Sequence, residues 1–368
     1  MRKWIVVLGV VVVAVAVGVQ GWGITVCEYR SPKTSLTDAK LSFGYRYYDD
    51  ANTAEIDVSS GRLAIDYDQL FDSPNYGFSL DGAAELTLVD MFPAGWLGQG
   101  SATFRYYPIE EALLFAFGGL ETSMATGRPR PGVDVRVGVG IGRFSDVTPL
   151  AKMITIQKKL IDLGAIADPL ADDILLAAAK AIGRRVEYET LKDLVADIEA
   201  LIEGAAGVDL DARALLTIEE IILATGDERR CGWALQAGIG YELIDPYGGA
   251  QNIVVGGSAD AAFAFGPDDQ FRFHASFSGP FAIMNENTLT ASVKYEYMLA
   301  EDSTLLVDYA LQRVKPDGQP ATSTHSAGLA LGFDIAGIDI MIQASFTKDT
   351  GDPGWSTDIS ISAAMDLL

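Results

Sequence analysis

Basic residues are scarce in this chain. Its 27 Lys and Arg stand against 50 Asp and Glu, a formal net charge of -23, and no stretch gathers them into a patch. Binding to a phosphate backbone needs such a patch, so no nucleic-acid partner is expected, and the acidity itself speaks mainly to solubility. Histidine is scarcer still. His274 and His325 stand far apart, which gives neither metal-ligand spacing nor a base beside a nucleophile motif. No metal, no cofactor and no enzymatic reaction is expected; a Ser/His/acid site would have to be built on His274. Cysteine occurs twice, at Cys27 and Cys231. Their spacing leaves two readings open, a disulfide from the N-terminal segment to the start of a later strand, or two unpaired thiols. The N-terminal apolar run, Ile5 to Val19, falls short of the roughly twenty residues that a membrane-crossing helix takes.

That run suits a different purpose. Arg2 and Lys3 precede it and the small residues Gly21 and Gly23 follow, the three-part layout of a secretory signal peptide. Residues 1–23 are expected to be removed by cleavage after Gly21 or Gly23, the alternative being a retained anchor. Export places the mature chain where a disulfide persists. Ile24-Thr25-Val26-Cys27 has the outline of a lipoprotein box, but Val26 occupies a position where such boxes carry a small residue.

Alternation is what the chain has in abundance. From Val133 to Ile141 every odd residue is apolar and every even one is polar or glycine, the pattern of a strand wetted on one face. Trp233 to Leu243 repeats it, as does Leu289 to Tyr297. These segments exceed the five or six residues common in soluble strands and match what a tilted strand needs to cross a bilayer. Six strands are expected before the middle of the chain: Ala39 to Tyr48, Arg62 to Leu70, Tyr76 to Leu88, Gly100 to Tyr107, Leu113 to Glu121 and Gly132 to Arg143. Eight follow: Gly232 to Ile244, Asn252 to Phe265, Gln270 to Ser278, Asn287 to Met298, Ser303 to Val314, Ser323 to Ile335, Gly337 to Thr347 and Ser356 to Leu367. In the second, Ile56 and Val58 are out of phase with Leu63, Ile65 and Tyr67, which implies a bulge or an early turn. Aromatics such as Phe43, Tyr45, Phe104, Trp233, Tyr241 and Tyr297 sit near strand ends, as interfacial girdles require. A soluble β-sandwich is the competing fold.

With an export signal, dyad strands and aromatic strand ends assembled, the chain resembles bacterial outer-membrane β-barrel proteins of the porin-like type. The resemblance implies an all-β transmembrane barrel of about 14 antiparallel strands in the outer membrane, in contact with its lipid, with short periplasmic turns and longer outer loops. On that scheme the outer loops are Asp49 to Thr53, Val89 to Gln99, Thr122 to Pro131, Asp245 to Gln251, Gly279 to Glu286, Lys315 to Thr322 and Lys348 to Trp355. Tight turns are expected at Gly266 to Asp269, Leu299 to Asp302 and around Ala336. The last strand of such proteins usually serves as an assembly signal with a terminal aromatic; here Ile359, Ile361, Ala363, Met365 and Leu367 alternate, and the chain ends at Leu368 without a ring.

Between Arg143 and Cys231 the period changes from two to 3.6, and turn residues divide the segment into about four helices. Thr148-Pro149 is expected to cap the first, which stops at Gly164. Pro169 opens a second that ends at Gly183, a third carries Leu191 to Ile202 before Gly204, and Asp211 begins the last. Each has one apolar stripe, so the four are expected to bury those stripes against one another. The domains are thus 1–23 as signal peptide, 24–146 and 229–368 as barrel, and 147–228 as a helical insertion. Six strands precede it, which by parity puts it on the periplasmic side; entry of one helix into the pore is the lesser option.

The polar faces of the strands carry the functional expectation. Arg46, Arg105, Arg136, Arg272 and Lys294 share the inward phase with Asp66, Glu85, Asp134, Glu242, Asp260, Glu296, Asp308, Asp334, Asp339 and Asp358. Charges along one strand face are costly unless wetted or paired, so the lumen is expected to be polar. Such a lumen either leads small polar solutes passively through the membrane, leaning toward cations, or is filled by its own ion pairs. In the second case the barrel is a non-conducting anchor whose helical insertion holds a periplasmic protein. Gly138, Gly140 and Gly142 are misplaced for a dinucleotide loop and read as lumen-facing glycines. Asp349 and Asp352 read as an acidic outer loop rather than a calcium site.

Overall fold

The computed structural model describes residues 24–31, 33–48, 58–109, 112–224, 228–249, 251–300, 303–335 and 338–366. The expected signal peptide, the loop Asp49 to Thr53, Ile56, the turn around Ala336 and the terminal Leu367 and Leu368 lie outside them. Six strands precede the helical segment: β1 (Thr34–Tyr48), β2 (Val58–Asp72), β3 (Tyr76–Val89), β4 (Phe92–Tyr106), β5 (Leu114–Ala125) and β6 (Gly132–Asp146). Eight follow it: β7 (Arg230–Ile244), β8 (Ile253–Phe263), β9 (Asp269–Pro280), β10 (Asn287–Ala300), β11 (Ser303–Lys315), β12 (Thr322–Ile335), β13 (Ile338–Asp349) and β14 (Ser356–Asp366). Each strand pairs with its neighbours in sequence, and β1 closes the ring on β14 through Leu41 opposite Met365. The result is a closed antiparallel barrel of 14 strands with no free edge.

The dyad decides which way each side chain points. On β6, Val137, Val139 and Ile141 are 60%, 63% and 42% exposed, although they are among the most apolar residues of the strand. Ile359 and Ile361 on β14 reach 74% and 66%. Rows of this kind on successive strands form an apolar belt far larger than a water-soluble surface tolerates, and lipid is the solvent that accepts it.

Three expectations change. The stretch Val89 to Gln99 is not a loop: β3 turns directly into β4 through Asp90 and Met91, whose φ values of 52° and 65° make a tight hairpin turn. Pro93 and the glycines at 95, 98 and 100 hid the strand, since Pro lacks a ladder donor and Gly carries no apolar face; a register shift beside Thr87 and Leu88 accommodates Pro93. No bulge or early turn separates Val58 from Arg62, because β2 holds one continuous register against β1 from Val58 opposite Tyr48 onward. Three helix ends also move, as described next.

A second compact unit gathers described residues 24–31, 145–231 and 263–270. Its helices are α1 (Thr148–Asp162), α2 (Asp172–Gly183), α3 (Leu191–Ala206) and α4 (Ala212–Leu223). Their stripes, including Leu150, Ile156, Leu160, Leu194, Ile198 and Ile218, form one buried core. Thr190 and Asp193 make a reciprocal capping box at the start of α3, and the Asp211 carboxylate accepts from the Ala214 N–H at the start of α4. The α3 helix runs past Gly204 to a left-handed cap at Gly207, because one interior glycine costs only about 1 kcal/mol when an apolar stripe continues beyond it. The α2 helix starts at Asp172 and not at Pro169, since the Gln157 side chain takes the Leu170 N–H at 2.7 Å and holds that segment extended. Thr148 does not cap α1, whose N-cap is Val147. Its hydroxyl instead accepts from the Arg229 N–H at 2.9 Å, tying together the two ends of the insertion.

The N-terminal residues Ile24, Val26 and Tyr29 are buried in this same core. Burial, and next the Asp146 carboxylate, push the Tyr29 hydroxyl up to about 12, while Arg184 opposes them. Beside them Cys27 is disulfide-bonded to Cys231, 204 residues on, which settles the pairing that the sequence left open. Alkylation of the purified protein before reduction should label no cysteine, and the Cys27 and Cys231 peptides should appear joined in a non-reducing digest. Labelling of both thiols without reductant would contradict the bridge.

Candidate functional site

The inner wall of β1 to β6 encloses a cavity of about 500 Å³. Among the described residues six carboxylates line it, Asp38, Asp66, Asp68, Asp81, Glu121 and Asp134, against one ammonium, that of Lys40. Alternation contributes to this placement, as Asp66 stands beside the outward Ile65 and Asp134 beside Val135. Some are tied locally. Lys40 approaches Asp38 at 3.8 Å, Arg136 meets Glu121 at 2.8 Å, and the Ser101 hydroxyl donates to Asp81 at 2.9 Å. Of the cavity carboxylates, sequence reasoning named only Asp66 and Asp134. It missed Asp68, Asp81 and Glu121, which lie within the expected strands, and Asp38, which lies one residue before the expected first strand.

The other expected residues are dispersed around the barrel. Glu85 pairs with Arg62 at 2.7 Å. Lys294 stands opposite Asp308 in the β10–β11 ladder, Glu296 opposite Leu306, and Asp358 opposite Ser345. Glu242 is near the end of β7, its N–H bonded to the Asn252 carbonyl, and Arg272 is half-buried on β9. Asp334 pairs in register with Asp339. The side chains of Arg46 and Asp339 lie outside those described. Asp260 faces His274 Nδ1 at 2.6 Å, and the Ser258 hydroxyl donates to this same carboxylate rather than to the imidazole. That arrangement does not present an activated serine.

Arg105 does not reach the open lumen. Its guanidinium lies 5.7 Å from the Phe115 ring centroid, buried in a layer at the ends of β2, β4 and β6. In that layer the Tyr107 hydroxyl donates to Asp72 Oδ2 at 3.0 Å, and Arg143 stacks 3.9 Å from the Tyr107 centroid and 3.7 Å from Asp72 Oδ1. Beside it, Leu36, Leu70, Phe144, Ala234 and Ala262 form a separate buried apolar cluster. These residues come from β1, β2, β6, β7 and β8, so side chains at least four strands apart around the ring share one buried cluster. The Thr34 hydroxyl donates to the Phe144 carbonyl at 3.5 Å, and Arg143 donates to the Pro74 carbonyl at 3.0 Å. Strand spacing and tilt would hold diametrically opposed strands of a circular 14-strand barrel roughly 28 Å apart. The walls are therefore drawn together at this level.

Glycine makes the approach possible. A Cβ on Gly138 or Gly140 would meet the Phe117 or Phe115 ring at 2.6 or 2.3 Å, so these glycines seat aromatic rings and not a nucleotide. Gly142, with φ of 127°, interrupts the pleat, and beyond it both Arg143 and Phe144 enter the inner layer.

No protein-family model and no curated protein matches the sequence. Among solved structures the chain is similar to the outer-membrane channel DcaP of Acinetobacter baumannii, at 9% identity over 91% of this chain and 97% of that one, with a TM-score of 0.36. It is similar also to a BenF-like porin from Pseudomonas fluorescens, at 8% identity over 90% and 98%, with a TM-score of 0.35. The NanC porin is a third, at 7% over 82% and 100%, with a TM-score of 0.33. The fold is a closed antiparallel β-barrel of the transmembrane kind. Even strand number, antiparallel closure and the apolar belt define it here.

Gly142→Ala should destabilise the barrel by about 1 to 3 kcal/mol or more, from a φ that L-residues avoid and a Cβ placed 2.0 Å from the Trp233 carbonyl. Loss of the folded band at lower temperature in unboiled electrophoresis checks it. An unchanged midpoint would refute the constraint.

Proposed function

We propose that this barrel is a passive outer-membrane pore for small polar solutes, with a lumen that leans toward cations. The observation that carries the reading is the cavity wall with six carboxylates and one lysine. Charged rings of one sign raise the local concentration of counter-ions and lower the barrier to their entry. By strand parity the helical insertion belongs to the periplasmic side, where its charged outer surface is available to a periplasmic protein.

One observation favours a second reading, a non-conducting anchor for such a partner: the apolar cluster that joins opposing walls of the barrel. Planar bilayers separate the two. Under a potassium chloride gradient the full-length mature protein should conduct with a reversal potential of cation-selective sign. The triple variant Asp81→Asn, Glu121→Gln, Asp134→Asn should move that potential toward zero. A bilayer that stays silent favours the anchor, and anion preference would sink the cation-pore reading.

A further inference from the structure

We infer that the layer joining β1 and β2 to β6, β7 and β8 is a gate: a dry seal of strand-borne side chains that must part before solute passes. The inference rests on the pore reading above and adds where, and by which residues, passage is controlled.

Three observations carry it. First, the contact between the walls is apolar. Leu36 and Leu70 on one wall meet Phe144, Ala234 and Ala262 on the other, and all five are at most 6% exposed. A constriction lined this way excludes water, and ions that would have to shed their hydration are stopped with it. Secondly, the closure comes from the barrel wall itself. Thr34 to the Phe144 carbonyl and Arg143 to the Pro74 carbonyl are bonds between strands or turns that are not neighbours in the sheet. Breaking them leaves every ladder intact, so the walls separate without unfolding any strand.

Thirdly, the polar group beside the seal is only partly satisfied: Asp72 Oδ2 accepts from the Tyr107 hydroxyl at 3.0 Å, and its other oxygen is left over. Asp72 is almost fully buried, and its Oδ1 faces Arg143 Nε at 3.7 Å, a stretched ion pair in which neither atom has a hydrogen bond. Nε of Arg105, in the same layer, likewise lacks one. Taking charges out of water is repaid only by close, fully bonded geometry, so the stretched Asp72–Arg143 contact itself adds little to closure, the holding bond of Arg143 being the one to the Pro74 carbonyl, and the carboxylate is re-solvated when the walls part. A tight apolar seal opposed by a costly buried ion pair gives two states close in free energy, which is what a gate requires.

The cavity and the seal have separate roles on this view. Carboxylates of the cavity select, and the layer of Leu36 and Phe144 admits. Charge variants of the cavity should therefore change selectivity with little effect on opening, whereas seal variants should change opening with little effect on selectivity.

The test uses single-channel recording of the full-length mature protein, with folding confirmed by the heat-shifted band. Leu36→Ala combined with Phe144→Ala removes the touching side chains and should raise mean conductance roughly two-fold or more, through longer or larger openings, at an unchanged reversal potential. Ala234→Leu fills the same layer and should lower it. If the wild type conducts and both folded variants match it, the gate is refuted while the pore stands. If wild type and the widened variant are both silent, the pore reading and the gate fall together. Should the double variant not fold, Ala234→Leu and the milder Phe144→Leu still decide the matter by moving conductance in opposite directions or not at all.

Discussion

Everything in this barrel follows from the cost of an unpaired peptide group in hydrocarbon. A backbone N–H or C=O left without a partner at membrane depth costs several kcal/mol, so strands that cross lipid must close on themselves. Here the closure is made by β1 and β14, whose pairing at Lys40 through Phe43 leaves the sheet without an edge. Closure then imposes the dyad. Each strand must offer lipid one face and the enclosed space the other, and the position of every lumen side chain is fixed by the outward position of its neighbour.

The same constraint explains why the lumen is polar in one place and dry in another. Where the walls stand apart, as around Asp66 and Asp134, charges face a cavity. Glycines let the walls approach, with Gly142 turning Arg143 and Phe144 into the layer, and there apolar side chains meet and the remaining charges are crowded. The helical unit obeys different physics. It has a core of its own that takes in the N-terminal Ile24, Val26 and Tyr29 and is fastened by the Cys27–Cys231 bridge. A covalent link over so many residues restricts the unfolded chain strongly.

Much of this is legible in the sequence because period two and period 3.6 are hard to confuse over ten residues. The strands around Val133 to Ile141 and Trp233 to Leu243, and the helix starting after Asp211, are written directly in side-chain order. What the sequence hides is anything set by closeness in space. Phe92 to Gln99 is a strand whose glycines and proline carry no apolar signal. Asp38 and Asp81 become one cavity wall only once β1, β2 and β3 are in register, and Leu36 shares a buried cluster with Phe144 only because the ring is pinched. Gly204 shows the reverse case, a local stop signal overruled by packing further along the helix.

The most direct test is the alternation itself. Nitroxide labels placed one at a time from Thr357 to Ala363 on β14, in the protein reconstituted into lipid vesicles, report collisions with dissolved oxygen and with a water-soluble nickel chelate. The odd positions, with Ile359 and Ile361 among them, should favour oxygen, and Asp358, Ser360 and Ser362 the chelate, in strict turn. Equal access of the chelate to both sets would mean that no face of this strand touches lipid, and the barrel would have to be given up as a membrane protein.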